Sequence, residues 1–327
     1  MLPINRETSL TMPRPNAFLT NSPFVMLYGT TPPRADAPWD KLIATGERLA
    51  ARIAGLDIDG LVVYDVQDES GRTAEPRPFP FLPTYDASEY GRILGRLAAK
   101  PVITYKCVAH MTESGFRDWL TTATDDGLRY LSLVGQASSR GGDPGISLLG
   151  AMSVATEPGR PFVVGGVVIP ERHSTERSES ARLIQKSTAG CDYFISQAVY
   201  SPDAVIALCR DYARDCAAHG TKPRRIVLTF TPCGRPQTMT FMKWLGITIP
   251  SQTESAILGA DDPLTESIRI CADNFRRILD SGIAQDVPLG VNVESVSISK
   301  VEIAGSVELC RTLRSVARER GLLLPAG

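Results

Sequence analysis

Short apolar runs recur along the chain, and the stretches between them carry apolar residues every three or four positions. Apolar and polar residues do not alternate within the runs, which is typical of strands covered on both faces. The predicted strands are 24–28, 60–65, 101–107, 129–135, 162–169, 193–197, 225–231 and 288–296. The predicted helices are 38–54, 86–99, 112–126, 145–155, 176–189, 202–219, 236–245 with 263–281, and 301–320.

Each predicted strand precedes a helix, and eight such pairs predict an α/β fold of the (β/α)8, or TIM-barrel, type. A doubly wound open sheet is the alternative, because strand counts read from a sequence are often wrong by one or two. The polar, proline-rich segment 1–23 is interpreted as an extended N-terminal arm, and residues 24–327 as a single barrel domain.

Composition narrows the function classes. The chain has 327 residues, a formal net charge of −1 and a hydrophobic content of 43%, so it offers no basic face for nucleic acid. No apolar run approaches the ~20 residues that span a bilayer, and the N-terminus has no apolar signal region. Seven cysteines without CxxC spacing and only three histidines predict neither a metal site nor a disulfide framework. A cytoplasmic protein with a small-molecule substrate is expected; a homo-oligomer is left open.

A barrel places its active site at the carboxyl ends of the strands and in the loops that follow. The loop after the second predicted strand is long, proline-rich and charged, and it contains Asp65, Gln67, Asp68 and Arg77. Long irregular loops inside compact domains are often functional, so we interpret it as a lid or ligand-gripping loop. A solvated surface loop is an equally good interpretation.

The segment 167–205 is the most informative. His173 follows the fifth predicted strand, and Glu179, Arg182 and Lys186 share one face of the next helix. An ordinary solvated helix explains those charges equally simply. Gln197 ends the sixth predicted strand, where a carboxamide can donate and accept hydrogen bonds to a flat, amide-edged heterocycle.

Several of these motifs resemble the methylenetetrahydrofolate reductase family of TIM barrels, which reduce a folate-bound methylene group to a methyl group. The matching features are His173, Lys186, the Ala-Gly-Cys turn at 189–191, Ser-Gln at 196–197, GTTPP at 29–33, and TFTPCGRP at 229–236 with FMKWLGITIP at 241–250. The resemblance extends over residues 24–314.

The resemblance implies a tetrahydrofolate species as substrate and NAD(P)H as hydride donor, acting directly or through FAD. It assigns substrate binding to Gln197, Gln136, Tyr200 and Arg235, and cofactor binding to His173, Glu179, Arg182, Lys186 and Gly135. A basic rim for the glutamyl tail of folate is expected from Arg34, Arg140, Arg172 and Arg235.

The chain departs from the family pattern at two motifs. Gly29 stands where the family has the glutamate that protonates folate, and Val-Gly-Gln at 134–136 replaces Arg-Gly-Asp, as in a flavin-free branch of the family. Because strands one and eight are neighbours in a closed barrel, Glu294 is the first candidate for the missing acid, and His110 is the second. Alternatively, Glu294 is merely paired with Lys300 or Arg172.

Three functions follow from this reading. The first is a methylenetetrahydrofolate reductase-like oxidoreductase. The second is a folate-dependent methyl or methylene transferase of specialised metabolism on the same barrel. The third is a catalytically inactive barrel that binds a ligand.

Overall fold

A computed structural model describes residues 18–68, 73, 75–135, 145–174, 176 and 178–323. Eight strands are formed where the apolar runs predict them. They are β1 Met26–Thr30, β2 Gly60–Val63, β3 Val102–Cys107, β4 Tyr130–Val134, β5 Val163–Val168, β6 Tyr193–Ala198, β7 Arg225–Phe230 and β8 Leu289–Val293.

The helices occupy the outer layer and follow the amphipathic stretches. They are α1 Phe18–Asn21, α2 Trp39–Ile53, α3 Ala87–Ala98, α4 Glu113–Asp125, α5 Leu148–Ala155, α6 Glu179–Thr188, α7 Pro202–Ala218, α8 Pro236–Trp244, α9 Ser251–Leu258, α10 Pro263–Asp280 and α11 Lys300–Glu319. Asp86, Thr112, Ser147 and Ser178 each cap a helix by accepting a backbone N–H in its first turn.

The strands form a closed, all-parallel barrel in the order β1 to β8. Closure is made between the first and last strands, where Met26 pairs with Val291 and Tyr28 with Val293. The (β/α)8 prediction is therefore confirmed, and the open-sheet alternative is excluded. Because β8 ends at Val293, Glu294 is the first residue after the strand, at the carboxyl-terminal mouth of the barrel.

Apolar and aromatic side chains from β1, β2, β3, β5, β6 and β7 fill the barrel interior. Tyr193 crosses it, and its hydroxyl donates to the carbonyl of Leu131 at 2.8 Å. A side chain at Gly165 would lie 2.3 Å from the Tyr193 ring, so glycine is required there to admit the aromatic residue. A separate, larger apolar layer lies between the barrel and its helices. The interior is thus a packed core rather than a channel.

The amino-terminal end of the barrel is closed by α1. Leu19 is fully buried there, and the guanidinium of Arg225 donates to the backbone carbonyls of Leu19, Ser22, Pro23 and Leu289. The predicted extended arm is wrong at its end, because residues 18–21 form a helix that packs into the core. Residues 1–17 lie outside the described part of the chain, and the domain boundary itself stays a prediction.

The sequence pattern missed the helix α9. It lies between Pro250 and Gly259, a short interval with one buried apolar residue, Ile257, so its periodicity is weak. Within the described residues no helix is long and apolar enough to cross a membrane. The same residues contain no cluster of three or more His, Cys, Asp or Glu side chains suited to hold a metal ion.

Candidate active site at the barrel mouth

A cavity of about 320 Å³ opens at the carboxyl-terminal end of the barrel. Its walls combine strand ends, the loop after β2, the helix α8 and the loop after β8. The lining residues are Thr30, Thr31, Tyr64, Asp65, Val66, Gln67, Arg77, Tyr105, Val167, Ser196, Gln197, Ala198, Phe241, Trp244, Leu245, Ile247 and 294–298. The cavity therefore offers aromatic surface together with a few polar groups, as small-molecule sites commonly do.

Glu294 provides a carboxyl group to this cavity. Its backbone N–H donates to the carbonyl of Phe230, which fixes the residue at the end of β8. Burial raises the pKa of Glu294 to about 7, and a hydrogen bond from the Tyr64 hydroxyl lowers it only in part. A carboxyl group with that pKa is substantially protonated near neutral pH, so it can serve as a general acid.

Tyr64 occupies the space above Gly29. A Cβ atom at position 29 would lie 3.0 Å from the Tyr64 ring and 3.2 Å from the side-chain oxygen of Asn292. The amide nitrogen of Asn292 donates to the Tyr64 hydroxyl at 2.8 Å, and the ring of Tyr105 lies edge-on 4.8 Å away. Glycine at position 29 thus makes room for a tyrosine that contacts Glu294.

An irregular strand places Gln197 at the cavity wall. The register between β6 and β7 shifts between Ile195 and Ala198, as in a β-bulge. The Ser196 hydroxyl bridges this shift by accepting from the Thr229 N–H and donating to the Gln197 carbonyl. The Gln197 amide nitrogen donates to the Leu245 carbonyl at 2.9 Å, which fixes the orientation of the amide. Gln197 and Glu294 therefore line one common cavity.

The loop after β2 crosses the mouth of the barrel; its residues 75–85 are called the strap below. At one side the Trp244 indole N–H donates to the carbonyl of Glu75, and Phe79 contacts Phe241 edge-on. At its other end Arg34 and Thr84 form an antiparallel bridge. The strap thus joins α8 to the loop after β1, and its position supports the lid interpretation.

Arg235 lies at the edge of this region without lining the cavity. Its guanidinium pairs with the buried carboxylate of Glu302 at 2.9 Å and donates to the Ser297 hydroxyl at 2.8 Å. The Thr238 hydroxyl and the Gly234 N–H also donate to Glu302. Arg235 therefore holds the loop after β8, and its polar groups are engaged with the protein.

Other predicted substrate and catalytic residues lie elsewhere. Tyr200 is buried in the core, 1% exposed, and its hydroxyl donates to the Thr231 carbonyl at 2.6 Å, so the structure places it outside the cavity. His110 is exposed, has a φ of 67° and does not line the cavity. Gln136 and Arg140 lie outside the described residues. Lys300 is exposed, and Arg172 does not line the cavity.

The residues assigned to flavin are engaged with the protein. The Lys186 ammonium donates to the Val167 carbonyl at 2.6 Å, and Arg182 pairs with the buried Glu179. The ring Nε2 of His173 bonds to Asp211 at 3.0 Å. The His173 Nδ1 has no partner among the described residues, but His173 does not line the cavity.

Gly135 ends the described segment after β4 and does not line the cavity either. Together, the described members of this set do not fit a flavin at the mouth cavity, because none of them lines it and the charges of Lys186, Arg182 and Glu179 meet partners within the protein. Lys186 instead supports Val167, which itself lines the cavity, from behind. The prediction of FAD finds no support in these residues.

Aromatic and cationic residues of the strap and α8 were not assigned by sequence reasoning. Phe241 and Trp244 stack at an interplanar angle of 13°, three residues apart on α8, and Arg77 lies against both rings. The spacing of Phe241 and Trp244 was visible in the sequence, but their approach to Arg77 was not. Tyr64 was also missed, although it directly follows the carboxyl end of β2.

The arrangement defines a class of protein: a (β/α)8 barrel whose carboxyl-terminal mouth holds a cavity with the mixed aromatic and polar lining common at small-molecule sites. Comparisons with known proteins narrow this class. The family model described as methylenetetrahydrofolate reductase matches residues 151–298. No curated protein matches the chain.

A solved structure of an uncharacterized protein from Clostridium thermocellum, described as binding two copies of 5-methyl-5,6,7,8-tetrahydrofolic acid, is 32% identical to the chain. The match covers 90% of this chain and 96% of that one, with a TM-score of 0.77. The chain belongs to the methylenetetrahydrofolate reductase family.

Proposed function

We propose that this protein binds a reduced folate in the mouth cavity and reduces its one-carbon unit, with Glu294 as the proton donor. The observation that carries the proposal is a carboxyl group with a pKa raised to about 7 in the wall of a cavity that also contains Gln197. Family membership and the folate-binding relative from Clostridium thermocellum support folate as the ligand.

The binding step uses the aromatic and amide groups of the cavity. A pterin is flat, with donor and acceptor atoms along its edges, and the fixed amide of Gln197 suits such an edge. The stacked rings of Phe241 and Trp244 supply apolar surface to the same cavity. These groups are held by bonds within the protein, so little ordering is left for the binding step.

The chemical step needs one proton and one hydride. The methylene carbon bridges two nitrogens of the folate. Protonation of one nitrogen lets its bond to the carbon break, and the carbon then forms an iminium with the other nitrogen. Hydride addition to this carbon gives the methyl group. Glu294 donates the proton and is left as a carboxylate, to which the Tyr64 hydroxyl hydrogen-bonds. When bound, NAD(P)H supplies the hydride and leaves as NAD(P)+. Because the described residues do not fit a flavin, no step is assigned to FAD.

Calorimetry of the full chain with 5-methyltetrahydrofolate tests the binding step. Binding in the micromolar range or tighter is expected, and Gln197→Ala is expected to weaken it at least about tenfold, because it removes a fixed amide from the ligand edge. Absence of binding by any reduced folate would refute the proposal.

Glu294→Gln tests the proton donor, with Glu171→Gln as the matched control. Burial raises the pKa of Glu171 to about 7 as well, but Glu171 does not line the cavity. With methylenetetrahydrofolate and NAD(P)H, Glu294→Gln is expected to lower turnover by about 10²–10⁴-fold while folate binding persists. Glu171→Gln is expected to keep turnover within about threefold.

The rate profile gives an independent check of the same assignment. A general acid works in its protonated form, so turnover is expected to be high below pH 7 and to fall above it. A flat profile across this range, or unchanged turnover in Glu294→Gln, would show that another group supplies the proton.

The same assay separates the two other functions considered for the barrel. Folate binding without NAD(P)H oxidation, but with methyl transfer to an added acceptor, would establish a transferase. Folate binding without either reaction would establish a binding protein.

A further inference from the structure

Arg77, on the strap, is a cation held against three aromatic rings in the wall of the mouth cavity. Its guanidinium carbon lies 5.3 Å from the ring centre of Phe81, 5.7 Å from that of Phe241 and 5.1 Å from that of Trp244. Cations over aromatic faces at these distances are attracted by the ring electrons. The contacts fix the position of the guanidinium without using its hydrogen-bond donors.

Two of the donor atoms of Arg77 have no hydrogen-bond partner among the described residues. The Nε and Nη1 atoms of Arg77 are shut off from solvent, and neither has a hydrogen-bond partner among the residues that the structure describes. An unsatisfied, desolvated guanidinium is costly to fold, so proteins retain such a group mainly where a ligand completes it. Arg77 also lines the cavity, so its guanidinium lies next to a ligand bound there.

The acidic residues of the same cavity do not serve as this partner. The Asp65 carboxylate accepts from the Cys107 N–H at 2.8 Å and from the Gln67 amide at 2.7 Å, and Glu294 contacts Tyr64. No ion pair of Arg77 is found within the described chain. Among the described residues, the guanidinium of Arg77 is therefore paired with no carboxylate.

Two of the arginines predicted for the rim, Arg34 and Arg235, are paired with carboxylates by contrast. Arg34 pairs with Asp36 at 2.6 Å, and Arg235 pairs with the buried carboxylate of Glu302. Neither lines the cavity. Among the described residues that line the cavity, the arginine is Arg77, on the strap.

We propose that Arg77 binds a carboxylate of the glutamyl tail of the folate, so that the strap selects reduced folates over pterins that lack the tail. This inference rests on the proposed function and adds the group that the site recognises. A planar guanidinium matches a carboxylate through two parallel hydrogen bonds. The strand-end groups Glu294 and Gln197 hold the bicyclic ring, and Arg77 lies on a loop beyond them, beside the stacked rings of α8.

The test compares two ligands that differ only in the tail, tetrahydrofolate and tetrahydropteroate. Their dissociation constants are measured by calorimetry for the full wild-type chain, for Arg77→Met and for the control Arg34→Met, which removes an equal charge at the same end of the barrel. Arg77→Met is expected to raise the dissociation constant of tetrahydrofolate by about 10–100-fold and that of tetrahydropteroate by less than about threefold. Arg34→Met is expected to change neither dissociation constant by more than about threefold.

Three outcomes overturn the inference. If Arg77→Met lowered the affinity for both ligands equally, Arg77 would only hold the strap in place. Unchanged binding of both would leave the proposed function intact and remove Arg77 from the site. Failure of the wild-type chain to bind either ligand would refute the proposed function, and the inference with it.

Arg77→Lys is the second variant, and it guards against misfolding of the methionine variant. It keeps a cation on the aromatic rings but loses the paired donors. Arg77→Lys is expected to lower the affinity for tetrahydrofolate about three- to tenfold and to leave the affinity for tetrahydropteroate unchanged. Wild-type affinity for tetrahydrofolate in this variant would contradict recognition by the guanidinium fork.

Discussion

The barrel has a shielded guanidinium at each end, and the two differ in what their donors meet. At the amino-terminal end, Arg225 is 4% exposed and donates to the backbone carbonyls of Leu19, Ser22, Pro23 and Leu289. At the mouth, Nε and Nη1 of Arg77 meet no acceptor within the described residues. A buried donor satisfied by the fold stabilises the fold, whereas an unsatisfied one at a cavity is available to a ligand.

The carboxylates around the mouth repeat this difference. Burial alone would raise the pKa of Glu302, but hydrogen bonds from Ser297, Gly234, Thr238 and Arg235 outweigh it and lower the pKa. At Glu294 burial raises the pKa, and the hydrogen bond from the Tyr64 hydroxyl lowers it by less. The pKa therefore rises to about 7. Glu302, whose oxygens accept several hydrogen bonds, is a carboxylate that holds a loop. Glu294 accepts fewer, and its raised pKa keeps it partly protonated near neutral pH.

Replacement of Arg225 is the largest test of this comparison. Arg225→Met is expected to lower the free energy of unfolding by about 3–5 kcal/mol, because it leaves several buried carbonyls without a donor and loosens α1. Arg77→Met, the matched control, is expected to cost at most about 2 kcal/mol, the value of its contacts with the rings. Urea denaturation measures both. Equal losses would show that donor saturation does not distinguish the two ends.

Gly29→Ala tests the packing that replaces the family's acid. Its Cβ would lie 3.0 Å from the ring of Tyr64, which Asn292 and Tyr105 hold in place, so the free energy of unfolding is expected to fall by about 1–3 kcal/mol. At Gly55 nothing lies within 4 Å of the added atom, so Gly55→Ala is the control and is expected to be neutral or slightly stabilising.

A double-mutant cycle sharpens the result for position 29. When Gly29→Ala is combined with Tyr64→Ala, the ring that causes the crowding is gone, and a favourable coupling of about 1 kcal/mol or more is expected. Additive losses in thermal or urea denaturation would show that Tyr64 does not require glycine at position 29.

The dependence of stability on pH tests the raised pKa of Glu294. The folded state binds the Glu294 proton more tightly than the unfolded state, since the pKa rises from 4.5 to about 7 on folding. This contribution is full below about pH 4.5 and is lost as the pH rises through 7. Wild type is expected to lose about 2–3 kcal/mol relative to Glu294→Gln between pH 5 and 8. Parallel curves from denaturation at each pH would rule out the raised pKa.

Much of the fold was predictable from local pattern. The eight strands fall where apolar runs occur, and the position of Glu294 followed from the end of the last run together with closure of the barrel. The helix α9 was missed because only Ile257 marks its buried side. The short helix α1 was missed because its stability comes from Arg225, more than two hundred residues away, rather than from its own sequence.

The site was predictable only in part. Gln197 and Glu294 were identified because strand ends meet at the mouth of any barrel. Tyr200 also follows β6, yet the chain turns its hydroxyl to the Thr231 carbonyl, a choice that no local pattern reveals. Arg77 was recognised as part of a possible lid, but its aromatic partners on α8 lie far along the chain.

The order of apolar and amphipathic segments, encoded in short-range periodicity, determined that this chain forms a barrel and which polar residues come to its mouth. Tertiary structure decided which of those polar groups are satisfied and which remain open to a ligand. The reason is that hydrogen bonds and ring contacts join residues distant in sequence: Glu302 saturates Arg235, while the rings that hold Arg77 leave its donors free.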